Sequence, residues 1–218
     1  MMSNRARERI FAKLHTALQQ GGFAVPEPGP LPVLELSRQE RIDRLKSLLE
    51  MMHAEVYVAG ADHWVNTLKE MLRKRSLNQL LFGPGTLLGE ALEQAWESDL
   101  PPLTPYSTAI EQCKATLFAS DAGITSTRGG IAETGALILW PDAKEPRLLS
   151  LVPAVHIAVL AADKIYNTFA EAIASERWQD GMPTNALLIS GPSKTADIEL
   201  TLTFGVHGPK ELIVFILD

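Results

Sequence analysis

Apolar residues recur at helical spacing from Arg5 to Gln20, at Ile10, Phe11, Leu14, Ala17 and Leu18. Ser3 or Asn4 gives a start signal and Gly21-Gly22 a stop, so this stretch predicts a helix. Pro26, Pro28, Pro30 and Pro32 then alternate through a segment that can be neither helix nor paired strand, which predicts an extended linker. Ser37-Arg-Gln-Glu40 is a capping box, opening a helix whose apolar stripe is Ile42, Leu45, Leu48, Leu49 and Met52. Beyond it, Glu55 to Ala59 reads as a strand, Asp62 to Lys74 as a helix, Gln79 to Phe82 as a strand and Thr86 to Trp96 as a helix. That alternation predicts an α/β fold with a parallel or mostly parallel sheet covered on both faces. Residues 1–36 are expected to form a helix and proline-rich arm, and residues 37–218 a single α/β domain.

In the second half, Ala115 to Ser120, Ala136 to Trp140, Ile157 to Ala161, Asn185 to Ile189 and Glu211 to Leu217 read as strands, with a helix from Asp163 to Arg177. Between Ser120 and Gly135 the chain is mostly glycine and hydroxyl residues, the composition of a working loop. No internal repeat is visible.

Composition narrows the function classes. A chain of 218 residues with 46% hydrophobic content can bury a sizeable core. Its net charge is -6 and its basic residues are interspersed with acidic ones, which argues against nucleic acid as a partner. Apolar runs are too short to cross a bilayer and the first twenty residues are charged and amphipathic, so a soluble, cytoplasmic protein is expected. Cys113 is the single cysteine, so this chain alone holds neither an intrachain disulfide nor a cysteine-ligated iron–sulfur cluster. Zinc-ligand spacings and nucleotide motifs are missing too, and no bound metal or cofactor of this chain is expected.

Candidate chemistry concentrates near the carboxyl end. Ser190, Ser193, Lys194, Thr195, Asp197, Glu199 and His207 crowd into two loops that follow the apolar run ending at Ile189. The run reads as a buried strand, and ligands of open α/β sheets bind beyond the carboxyl ends of strands. Gly191 and Gly208 allow close backbone approach, and if Ala196 to Thr203 winds as a helix, its free amides favour an anion. Ser193 or Thr195 capping that helix, with Asp197 and Glu199 complementing its dipole, is the competing reading. His207, between Gly205-Val and Gly208-Pro, is placed to exchange a proton with a bound acid near neutral pH. Glu133, expected to be partly buried, is a candidate base or nucleophile; a turn carboxylate bonding nearby amides is its alternative. Arg128 and Arg147 are candidate anion clamps, one of them expected to be a structural ion-pair residue, with Arg147 preferred for the site. His156 reads as structural, and His15, His53 and His63 as surface residues.

Gly123 to Gly135 (GITSTRGGIAETG), Arg147 to Pro153 (RLLSLVP), Ile189 to Glu199 (ISGPSKTADIE) and Gly205 to Pro209 (GVHGP) together resemble the LUD-domain family, and within it lactate-utilisation protein C. The resemblance runs over roughly residues 37–218 and is strongest from Ala115 onward. It implies a three-layer α/β fold, mostly parallel in its sheet, similar to the sugar-phosphate isomerase and CoA-transferase superfamily. It also implies a clusterless subunit or accessory protein in the oxidation of L-lactate to pyruvate, acting with partner proteins that carry iron–sulfur clusters; the polar loops add the expectation of a small carboxylate or other anionic ligand. A free-standing enzyme of the transferase or isomerase type using Glu133, and a non-catalytic interaction module, remain the alternatives. Self-association into a homo-oligomer is left open.

Overall fold

The computed structural model describes residues 4–20, 35–106, 110–195, 203–204 and 207–218. The chain divides into two units, 1–33 and 34–218. The first contains α1 (Asn4–Gln20), whose apolar residues share one face; the proline stretch expected to be a linker lies outside the described residues.

The second unit is built on a sheet of six parallel strands. In chain order its strands are β1 (Glu55–Ala59), β2 (Leu80–Phe82), β3 (Leu103–Pro105), β4 (Ala122–Ser126), β7 (Val155–Ala161) and β12 (Glu211–Leu217). They lie side by side as β1-β12-β7-β4-β2-β3, and every neighbouring pair runs parallel. β7 and β12 are adjacent interior strands buried along almost their whole length, so both faces of the sheet must be covered. α3 (Trp64–Arg73) and α4 (Leu87–Ala95) cover one face, where Leu68, Leu72 and Leu92 meet Ile124, Ile157 and Phe215. On the other face lies α2 (Arg38–Met51), with Ile42, Leu45 and Leu49 against Ala158, Leu160 and Val214. The predicted capping box is formed: the Ser37 hydroxyl accepts from the Glu40 amide while the Glu40 carboxylate accepts from the Ser37 amide. Met52, expected on the stripe, is instead the exposed C-cap residue.

A second sheet of four strands packs on the same face as α2. It contains β5 (Gly129–Ile131), β6 (Ala136–Leu139), β8 (Ile165–Tyr166) and β9 (Leu187–Ile189), in the order β8-β5-β6-β9. Here β5–β6 and β6–β9 are antiparallel. Leu137 and Ile165 join the α2 core cluster, and the Arg41 and Arg44 guanidinium groups donate to the Ile165 and Ala132 carbonyls. The remaining elements are α5 (Ile110–Ala119), α6 (Arg147–Leu151), α7 (Phe169–Ser175) and a two-residue ribbon of β10 (Lys194–Thr195) with β11 (Thr203–Phe204).

Three expectations change. Ala115 to Ser120 is the end of α5 rather than a strand: Leu117 and Ser120 are buried while Phe118 and Ala119 are exposed, a helical spacing. The helix expected from Asp163 breaks into a 3₁₀ turn, β8 and α7, because Ile165 and Tyr166 pair with Gly130 and Ile131 and the Thr168 hydroxyl caps a fresh helix. The glycine-rich stretch after Ser120 is mainly strand. A Cβ at Gly123 would stand 2.3 Å from the Leu149 carbonyl oxygen, and one at Gly130 would stand 2.8 Å from Leu45 Cδ2. These glycines serve close packing.

Candidate functional site

β9 carries the chain to the first polar loop. The strand is half exposed, with Leu188 open to solvent, so it is not the buried strand of a parallel sheet that the apolar run suggested; its antiparallel pairing to β6 on the sheet edge leaves one side uncovered. The Ser193 amide donates to the Pro209 carbonyl at 2.9 Å, which ties this loop to the turn that precedes β12. Gly208 permits the contact, since a Cβ there would reach Ser193 Cβ at 3.1 Å and Oγ at 3.3 Å. Gly191 makes its own close approach to Met52 at the end of α2. The helix considered from Ala196 lies largely outside the described residues, as do Asp197, Glu199 and Gly205; Thr203, at its expected end, is in a strand that pairs with Thr195.

Between the two loops is a cavity of about 260 Å³ lined by Ser190, Gly191, Ser193, His207 and Gly208, all predicted site residues. Its apolar walls are Leu151, Leu188, Ile189, Pro209 and Leu212. Ser190 and His207 are exposed at the mouth, and Ser193 is half-buried. The cavity lies beyond the carboxyl end of β9 but at the amino ends of the central strands β7 and β12.

One further polar residue lines it. His156, the second residue of β7, is 1% exposed, and its Nε2 lies 2.9 Å from the Thr125 hydroxyl on β4. Its Nδ1 is buried and has no hydrogen-bond partner among the described residues. Burial pushes the imidazole pKa down to about 4, so the ring is neutral at physiological pH. Sequence reasoning set His156 aside as structural; the available signal was a histidine inside a run of β-branched and aliphatic residues, where a polar ring needs partners.

The other candidates are dispersed. Arg147 opens α6 and borders a separate, wider cavity of about 420 Å³ with Asp142, Thr184 and Asn185. Arg128 is the structural ion-pair residue of the two: its Nε is 2.6 Å from the Glu176 carboxylate and its guanidinium carbon is 5.1 Å from the centre of the Trp140 ring. Glu176 also accepts from Lys164 at 2.9 Å and from the Tyr166 hydroxyl. Burial raises the Glu176 pKa, but these hydrogen bonds and the neighbouring cations outweigh it, and the carboxyl lies below its ordinary value. Glu133 is exposed in the turn between β5 and β6, its amide donating to the Asn167 carbonyl at 3.0 Å, and it borders none of these cavities. Glu133 is thus exposed rather than partly buried, and it sits in a turn. Glu145, beside a small pocket with Ser126 and Ser150, is raised by burial against hydrogen bonds from the Ser126 amide and hydroxyl. Among the described residues no cluster of three or more His, Cys, Asp or Glu side chains is arranged to hold a metal ion, and no helix is long and apolar enough to cross a membrane.

The chain is similar along most of its length to an uncharacterized protein of Neisseria meningitidis, with 37% identity covering 96% of this chain and 92% of that one. It is 37% identical to lactate utilization protein C of Macrococcus caseolyticus, covering 84% and 80% of the two chains, and 27% identical to lactate utilization protein C of Bacillus subtilis, covering 92% and 90%. The crystal structure of a DUF162 family protein from Deinococcus radiodurans superposes with a TM-score of 0.61 at 21% identity, covering 84% of this chain and all of that one, which establishes likeness of fold. The LUD domain family model matches residues 42–217, and the chain belongs to the LUD-domain family.

Proposed function

We propose that this protein takes part in lactate utilisation as a clusterless subunit or accessory protein of an L-lactate-oxidising system, acting with iron–sulfur partner proteins. Several of its relatives bear the name lactate utilization protein C. A single cysteine cannot complete the thiolate set of a cluster, so the electron-carrying centres belong to the partners in this reading. The observation that carries the binding part is the 260 Å³ cavity, whose lining includes Ser190, Ser193 and His207. Such hydroxyls and an imidazole at a cavity mouth offer hydrogen bonds that suit a small carboxylate or other anion keeping part of its hydration.

The test is reconstitution of lactate-dependent electron transfer from purified partner proteins with and without this chain. Activity should depend on the chain and fall at least tenfold with Ser193→Ala and His207→Ala combined, the scale of losing two polar contacts. Undiminished transfer without the chain would sink the proposal.

A further inference from the structure

We propose that His156 is a ligand-binding residue, its ring hydrogen-bonding an uncharged 2-hydroxyl oxygen of a small organic acid whose carboxylate lies toward Ser190, Ser193 and His207. The assignment rests on the anion-binding reading of the cavity given above.

Three observations converge on it. The ring lines the cavity wall, and its Nδ1 is shielded from solvent without a partner among the described residues. A buried polar atom left unpaired is costly, so an orphan on a residue that lines a cavity points to a ligand atom that completes the pairing. The second ring nitrogen is engaged by the Thr125 hydroxyl at 2.9 Å, which fixes the orientation of the imidazole. Finally, polarity is graded along the cavity. Ser190 and His207 at the mouth are exposed, whereas His156 is 1% exposed and has Leu151 and Leu212 as apolar neighbours on the wall. A carboxylate loses least hydration at the mouth, and an uncharged oxygen loses least at the inner end. The inner ring is neutral, so it offers a hydrogen bond and no charge. A threonine hydroxyl either donates or accepts, which leaves both ring tautomers open, and a ligand hydroxyl satisfies Nδ1 in either one. An acid with a hydroxyl beside its carboxylate, the 2-hydroxy acid class, matches this arrangement.

The experiment titrates the full chain with L-lactate and with propionate, the same acid without its 2-hydroxyl, while recording the amide signals of Ser193 and Gly208 and the ring nitrogens of His156. Both acids should shift the amides, lactate alone should shift the ring, and lactate should bind about tenfold more tightly. His156→Asn, whose side-chain amide reaches the position of Nδ1, should keep the preference; His156→Gln, whose amide reaches the position of Nε2, should lose it. The ring signals of the unaltered protein decide the matter even where a variant does not fold. Equal binding of the two acids with an unmoved ring overturns the role of His156 and leaves anion binding intact. No response of Ser193 or Gly208 to either acid overturns both.

Discussion

The six-stranded and the four-stranded sheet are held by different means. In the first, β7 and β12 are seven residues each, parallel, and sealed between apolar layers, so their order comes from burial on both faces. In the second, strands of two to four residues depend on what surrounds them: α2 packed behind, the Glu176 network at one edge, and at the other edge β9, uncovered, leading into the polar loop. The candidate cavity lies where the two meet, with its buried histidine on β7 and its hydroxyls on the loop after β9. A rigid wall thus supplies the inner polar group and a lightly held edge supplies the mouth, an arrangement in which low local stability falls on the side that must admit a ligand.

The largest expected effect breaks the rigid half. Gly123→Val places a Cβ 2.3 Å from the Leu149 carbonyl oxygen, with Pro153 Cγ at 3.1 Å, and neither backbone carbonyl nor proline ring can rotate away. Destabilisation should exceed about 4 kcal/mol and leave little folded protein at 37 °C, measured as urea unfolding or soluble yield. A variant with an unchanged unfolding midpoint would show that β4 and α6 are not packed as described.

Next in size is the pH response of the buried histidine. Its folded pKa of about 4 lies below the ordinary 6.5, so between those values the unfolded chain binds the proton that the folded chain refuses. Stability on this account is full above about pH 6.5 and falls as pH drops toward 4, by on the order of 3 kcal/mol in all. Glu145, raised by burial, changes stability in the opposite direction; it is present in His156→Asn as well and cancels in the comparison. The stability difference between wild type and variant should therefore shrink as pH is lowered from 7 to 4.5. Parallel pH curves would mean that the ring does not titrate as a buried group.

The contrast between the sheets also explains what the sequence made legible. Both long central strands, α1 to α4 and the capping box at Ser37 follow from local pattern, because apolar period and cap chemistry lie within a few residues of each other. β4 and β5 escaped for a tertiary reason: their glycines read as loop, yet Gly123 and Gly130 are required by neighbours distant in sequence. The site was half legible. Ser190, Ser193, His207 and Gly208 do meet around one cavity, because they flank strands that the pattern had found. Arg147 and Glu133 were grouped with them by chemical type, but Arg147 borders another cavity and Glu133 lies exposed in a turn, since chemical type carries no information about which side of a sheet a loop emerges on. His156 went the other way: only the three-dimensional placement of Thr125 and the two loops distinguishes its ring from an ordinary core side chain.

Smaller effects probe the lightly held half. Glu176→Gln keeps the shape but removes the charge that draws together Arg128, Lys164 and the Tyr166 hydroxyl around a side chain only 8% exposed. The partners are themselves about half exposed, which limits the loss, and about 2 kcal/mol is expected, or roughly 5 °C in Tm. Amide exchange should quicken in β5 and β8 more than in β7 and β12. Uniform quickening would mean that the two sheets open as one unit.

Ser37→Ala should have the mildest effect. It removes the acceptor for the Glu40 amide while leaving the Ser37 amide bonded to the Glu40 carboxylate, so half of the capping box survives and about 1 kcal/mol is expected. Its value lies in where that loss appears. α2 touches both sheets, through Leu49 and Leu45 in the shared core and through Arg41 and Arg44 on the carbonyls of Ile165 and Ala132. The Leu36 amide, next to the cap, donates to the Asn167 side chain at 2.9 Å, so fraying of this helix start loosens the segment between β8 and α7 first. Exchange protection at Asn167 and Glu171 should fall before protection at Val214 does, and equal loss at all three would place α2 on the rigid side of the comparison.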